Sequence, residues 1–411
     1  MTEGGSPASV TLRRSIGTVA LSLYGIGVTI GAGIYVLTGL VAGFAGYAAP
    51  LAFLLAGLVV APTAFSFAEL AARMPKSAGE ALYVLAAFDS RNLSILTGFL
   101  VIAVGTISSA TVTNGAAGYV TEIVDLPPWL IKTLFVAILG LIAAWGVVQS
   151  VTVAVILTLI EVTGLLVIIA TGLLALDGQP TFAMATDAGD PVLLFGIFAG
   201  ALIAFFAFIG FEDMVNMAEE VKEPEKTLPR AIAATLIATT ILYGAVTLIA
   251  VSVVGPTRLA ASSAPLALVF STATGSDAAF FSGVAILATV NTVLVQVIMA
   301  SRVLYGMAET GTLHRSLGVV HPITRTPLRA TALAAGAVLL LALIFPIDDL
   351  ARATSAIALL VFSLVNAALL RLKWREQAPV TTFRVPWPVP LFGILFSGAL
   401  LIAEIWRLAA A

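Results

Sequence analysis

One carboxyl group of this chain lies where water does not reach. The segment VAVILTLIEVTGLLVIIATGLL, Val153 to Leu174, contains a single charged residue, Glu161. About nine residues from the nearer end, at ~1.5 Å each, place it ~14 Å deep, close to the middle of a ~30 Å hydrocarbon layer. An ionisable group there costs at least a few kcal/mol and is read as functional by default. Two chemistries suit it. Ionised, it can ligate a hard cation with other oxygen atoms; protonated, it can donate a hydrogen bond and release its proton as its surroundings hydrate. A purely structural role, a neutral Glu bonded to a neighbouring helix, is the competing reading. Glu212 is a second candidate proton carrier, with a helix cap or an ion pair as its alternative. The segment AILATVNTVLVQVIMASRVLYGMAE adds Thr289, Asn291 and Thr292 near mid-depth, and Gln296 beyond them. Polar residues in such a segment more often bond between helices than hold a ligand.

Two apolar segments are also interrupted where they need to be regular. GIGVTIGAGIY, Gly25 to Tyr35, holds four glycines, and AFFAFIGFED, Ala204 to Asp213, sets Gly210 among aromatics and follows it with two acids. Each Gly inside a helix costs roughly 0.5–1 kcal/mol against Ala. Gly27 and Gly31 have the spacing of close helix packing. Two breaks five apolar segments apart have another use: helices that open expose N–H groups to an anionic substrate end and carbonyls to cations.

The elements that must position these residues follow from composition. The chain of 411 residues is 60% hydrophobic and 10% charged, with mean hydropathy +1.09, against about 25% charge in soluble domains. Apolar blocks near 15–41, 47–71, 93–121, 129–148, 152–176, 192–218, 230–254, 278–307, 329–346, 350–371 and 388–408 read as membrane-spanning helices. They do not alternate as barrel strands do. The fold class is an all-α polytopic membrane protein with about 11 transmembrane helices. With the N-terminus inside, all but four of the 20 Lys and Arg fall in inner segments; Lys132, Arg258, Arg352 and Arg407 are the exceptions. The positive-inside rule then fixes the orientation in a cell membrane, and an odd span count puts the C-terminus outside. The outer loops carry Asp177, Asp187, Asp190, Asp348 and Asp349. There is no cysteine, the first span lacks the features of a cleaved signal peptide, and no low-complexity linker divides the chain.

The glycine stretch matches the first-span pattern G-x-G-x-x-I-G-x-G-I-[FY] of the amino acid–polyamine–organocation transporters, and the chain resembles that superfamily in three further blocks. FAELAARMPKSAGEALYVLAAF (Phe67 to Phe88) is similar to its second-span exit and inner loop. FIGFEDMVNMAEEVKEPEKTLPRAI (Phe208 to Ile232) is similar to its sixth span and following loop. ASRVLYGMAETGTLHRSLGVVHPITRTPLRA (Ala300 to Ala330) is similar to its eighth span and inner loop. The resemblance implies a cytoplasmic tail (1–14), a LeuT-like ten-helix core (15–375) of two inverted five-helix repeats (about 15–176 and 192–371), and an accessory C-terminal span (376–411). Members usually have twelve spans, one more than is counted here.

Carried over by position, the resemblance gives Ile30, Gly31, Ala32, Gly33 and Ile34 as binding a substrate carboxylate through backbone N–H groups. Ala32 stands where many relatives have Ser. Phe206, Ala207, Phe208, Ile209 and Gly210 would offer carbonyls to an α-ammonium, with the Phe206 ring over the substrate. Many relatives carry Lys at the position of Glu161, so the charge is reversed here. Glu161, Glu212, Thr289, Asn291 and Thr292 are the ion-coupling candidates. Glu69, Glu219, Glu220, Lys222 and Lys226 read better as gate or loop ion pairs. The expected function is a permease moving an amino acid or related amine by alternating access with a proton. Sodium symport and exchange are alternatives, and a sensor that binds without turnover is the rival of another class. The expected partners are the small-molecule substrate, a coupling proton or sodium ion and membrane lipid, with no cofactor and no nucleic acid. An enzyme is disfavoured, because His314 and His321 are the two histidines, no H-E-x-x-H occurs and cysteine is absent. A channel is disfavoured because no selectivity loop recurs.

Overall fold

The computed structural model describes residues 16–31, 33–75, 79–145, 151–177, 191–309, 311, 313–324, 326–375 and 383–410. The tail 1–14 lies outside them, as do Ala32, Lys76, Asp187, Asp190 and Arg325.

The first apolar block forms two helices, α1 (Thr18–Ile30) and α2 (Gly33–Ala45). A three-residue 3-10 turn, Gly46–Ala48, leads into α3 (Ala49–Arg73). A short α4 (Gly79–Phe88) precedes α5 (Arg91–Thr121), which Ser90 caps by accepting from the N–H of Leu93 at 3.3 Å. Then come α6 (Pro128–Trp145), α7 (Val151–Ala175) and α8 (Pro191–Phe206). A 3-10 segment, Phe211–Glu220, follows α8 and leads to α9 (Pro224–Val253). Two short helices, α10 (Pro256–Ala260) and α11 (Pro265–Thr274), fill what reads in sequence as a plain outer loop. The chain continues through α12 (Ala279–Glu309), α13 (Leu328–Ile344), α14 (Ile347–Arg375) and α15 (Pro388–Ala410). Among the described residues the extended pairing is one parallel bridge, Ile16 with Val221.

Nine stretches among the described residues are long and apolar enough to cross a bilayer. The sequence gives eleven blocks, and the difference has local causes. The turn at Gly46–Ala48 keeps Gly33–Arg73 one continuous 41-residue stretch, α1 is cut short at 13 residues by its break, and α13 has 17 residues. In their described residues all eleven blocks are predominantly helical.

Hydroxyls inside these helices are mostly satisfied locally. Ser109 and Thr113 of α5 donate to the carbonyls four residues back, Gly105 and Ser109, at 2.8 and 2.7 Å, so they need no outside partner in an apolar layer. Packing follows a regular scheme. α3 lies along α9, α5 along α12, α6 along α13, and the two halves of the first block lie against α8 and the 3-10 segment. Each pairing joins one apolar block to the block five places later. An aromatic cluster locks several helices at one level: Phe67 (α3), Phe211 and Phe362 (α14) meet edge-on at 5.4–5.6 Å, and Phe205 (α8) joins through Phe362 at 5.6 Å.

Candidate functional site

The two interrupted helices meet. α1 stops at Ile30, and Gly31 takes φ 27° while its N–H still caps the helix on Gly27 O at 2.9 Å. α8 stops at Phe206, three 3-10 bonds carry the chain through Ala207–Gly210, and Gly210 takes φ 124°. Positive φ disfavours any side chain at both points. Proximity adds a second reason. A Cβ on Gly210 would lie 2.8 Å from the carbonyl oxygen of Val28, and one on Gly33 would lie 2.6 Å from Ala207 Cα. Gly27 faces Thr158 of α7 equally closely, so the first-span glycines serve packing and interruption together.

The hydroxyl of Tyr243 (α9) spans both breaks. It lies 2.8 Å from Thr29 O and 2.7 Å from Ala207 O, sharing one proton between them. Its ring packs edge-on against Phe208 at 5.1 Å and Phe53 at 5.7 Å. Two more tyrosines tie neighbouring helices together through backbone oxygens: Tyr119 donates to Tyr35 O in α2, and Tyr35 donates to the backbone oxygen of Glu161 in α7 at 2.6 Å. A tyrosine in an apolar run reads as core from sequence alone, so the sequence does not single out this set. The available signal was a buried phenol needing an acceptor beside helices that leave carbonyls free.

Ile30, Ile34, Phe206, Ala207, Phe208 and Ile209 are all buried at this junction. Several groups assigned to substrate are already engaged: Ala207 O by Tyr243, Phe206 O by the N–H of Ile209 at 3.1 Å, and Gly210 O by the N–H of Asp213 at 3.1 Å. The junction is closed in this arrangement, and the substrate readings of these residues remain expectations. Ala32 lies outside the described residues.

Glu161 projects from α7 toward α12 and is 1% exposed. Asn291 donates to its Oε1 at 3.4 Å, and Oε2 has no hydrogen-bond partner among the described residues. The structure therefore brings Glu161 and Asn291 together. Thr292 faces Gly31 and bonds to Ala288 O at 3.1 Å, and Thr289 bonds to Ile286 O at 2.7 Å. Glu212 lies on the other side of the junction, where its Oε2 accepts the N–H of Gly210 at 2.8 Å, a cap on the interrupted helix.

Two regions flank the junction. A cavity of about 550 Å³ opens among α2, α5, α6 and the segment after α10, with Gly39, Asn114, Lys132 and Ser263 in its wall. At the opposite end, buried Glu69 (α3) accepts from Arg73 at 2.5 Å, from Lys373 (α14) at 2.6 Å and from the N–H of Val385 at 2.7 Å. Glu69 thus has the ion-pair role expected of it. Lys226 pairs with Glu223 at 2.7 Å, while the Glu220 backbone holds Ile16. Arg352, counted among outer basic residues, is buried and pairs with Glu404 of α15 at 3.2 Å.

The family described as "Amino acid permease" matches residues 16–409. The branched-chain amino acid permease BcaP of Bacillus subtilis is 29% identical over 96% of this chain and 89% of its own length. The methylthioribose transporter of the same organism is 29% identical over 95% and 87%. The chloroplastic cationic amino acid transporter 9 of Arabidopsis thaliana is 30% identical over 77% of this chain and 59% of its own length. Helices, interrupted spans and sequence relationship agree, and the chain belongs to the amino acid permease family, as a multi-pass membrane transporter and not an enzyme.

Proposed function

We propose that this protein is a secondary active transporter that moves an amino acid or related amine by alternating access, coupled to a proton through Glu161. The observation that carries the reading is the pairing of two interrupted helices beside a buried carboxyl with one unpartnered oxygen. A substrate carboxylate would take N–H groups of residues 30–34, and its ammonium would displace the Tyr243 hydroxyl from the carbonyls of Thr29 and Ala207. Phe206 would cover the bound molecule. The pairing of the first four apolar blocks with the fifth after each supports two inverted repeats within 15–375, with α15 as an accessory span. Charge placement supports an inside N-terminus in a cell membrane, so that the 550 Å³ cavity faces outward and the Glu69 cluster holds the inner side shut. Names of relatives span branched-chain and cationic amino acids and methylthioribose, and the apolar junction favours an uncharged or modest side chain.

A coupling group must interact differently with its ion in two states. Glu161 meets that need because opening the junction would hydrate a carboxyl that is now dry. Proton coupling ranks ahead of sodium coupling because the Thr289 and Thr292 hydroxyls each donate to a carbonyl of their own helix. Uptake of labelled amino acids into proteoliposomes under imposed pH or sodium gradients tests the reading. Glu161→Gln should keep substrate binding and counterflow but lose its response to the pH gradient. Continued response to pH in that variant overturns the role of Glu161, and binding without counterflow in the wild type would make the protein a sensor. Binding of decarboxylated amines as tight as that of amino acids would remove the first-break residues from carboxylate recognition.

A further inference from the structure

A second group of buried acids lies on the other side of the junction. Glu80 of α4, Glu212 and Asp213 surround one small cavity, together with Gln296 of α12 and apolar residues of α5 and α14. All three acids and Gln296 are less than a tenth exposed. The cavity measures about 20 Å³, room for one water-sized occupant. Among the described residues no Lys, Arg or His lines it. Glu212 has a donor in the N–H of Gly210, but Asp213 Oδ2 is buried with no hydrogen-bond partner among the described residues. A carboxylate without a partner in a dry site costs several kcal/mol, and three like groups around one void multiply that cost.

We propose that Glu80, Glu212, Asp213 and Gln296 form a binding site for one small monovalent cation, a proton held on one of the carboxyls or sodium. One positive charge with its water would satisfy the orphaned Asp213 oxygen and offset the mutual repulsion of the acids. A metal ion held by three carboxylates is disfavoured, since no three acidic or imidazole groups among the described residues are placed to hold one, so sodium would be ligated by fewer acids together with Gln296 and water. Tyr24 of α1 is within electrostatic reach of Asp213, Arg302 and Glu220, and Tyr83 of α4 is within reach of Glu80. Arg302 does not line the cavity. Because Glu212 caps Gly210 from the same cavity, occupancy would be felt at the sixth-span break. The site is separate from Glu161 and stands whether or not Glu161 carries the coupling charge.

Infrared difference spectra of the full chain in lipid vesicles test it, recorded between acid and neutral buffer, first with choline and then with sodium chloride. The wild type should show the carbonyl stretch of a buried protonated carboxyl that titrates. A component of that band should disappear in Asp213→Asn and in Glu80→Gln, yet survive in Glu161→Gln. Loss of the component on adding sodium at fixed pH identifies sodium as an occupant, and indifference to sodium identifies the proton. Size-exclusion profiles report folding, and either variant suffices if the other does not fold. Spectra of both variants that superimpose on the wild type, in choline and in sodium, overturn the proposal.

Discussion

Two regions of this molecule bury a carboxyl completely and treat it in opposite ways. At the Glu69 cluster both oxygens are occupied, by Arg73, Lys373 and the N–H of Val385, tying the ends of α3 and α14 to the segment before α15. At the junction, among the described residues, the Glu161 carboxyl has a single 3.4 Å bond from Asn291 and an oxygen left over, and Thr29 Oγ1 of the first break is likewise without a partner. A saturated carboxyl resists change because any movement breaks several charge-assisted bonds at once. An unsaturated one is held weakly, and other partners can reach it. The first kind of site suits a clasp and the second suits a step in a cycle.

Breaking the saturated side should produce the largest effect. Glu69→Gln leaves Arg73 and Lys373 buried without their counter-charge, for which a loss of about 3–5 kcal/mol is expected. It should appear as a marked drop in thermal-unfolding midpoint in detergent. A midpoint equal to that of the wild type would show that water already screens the cluster. Tyr243→Phe comes next. It removes the donor shared by Thr29 O and Ala207 O, and roughly 1–3 kcal/mol follows from leaving buried carbonyls unpaired. The same variant should loosen the junction, raising hydrogen exchange at residues 29–31 and 207–210 above that of the wild type. Unchanged exchange there would mean that packing alone holds the breaks together.

Glu161→Gln should cost least among the buried sites, within about 1 kcal/mol in either direction, since one long bond is all it gives up. A destabilisation as large as that of Glu69→Gln would erase the contrast between the two regions. The exposed pair Glu223–Lys226 serves as the baseline. The hydrogen bond from Lys226, and then its charge, hold the Glu223 carboxyl below its ordinary range. Its small contribution is therefore present above the ordinary carboxylate pKa and fades as pH falls through the lowered value. Lys226→Ala should leave the unfolding midpoint unchanged at neutral pH, because exposed pairs are screened by water and salt. A clear shift would mean that the loop before α9 contributes more than its exposure suggests.

The sequence by itself determined the spans, the interruptions and the odd carboxyl, and the reason is the solvent. Lipid leaves few options: a span needs about 20 apolar residues, a break needs glycine, and a lone charge such as Glu161 cannot be incidental. These constraints act locally, so they can be read along the chain. What only the tertiary structure decided depends on which helix faces which. Tyr243 acts on both breaks because α9 lies against α1 and the 3-10 segment. Glu80 and Asp213, more than a hundred residues apart, line one cavity because α4 packs against α5 and α14, which share its wall. Arg352 reads as an outer-loop charge until α15 brings Glu404 to it. Composition records how apolar a helix is but not its rotation about its own axis, and that rotation chooses the partner of every polar group it carries.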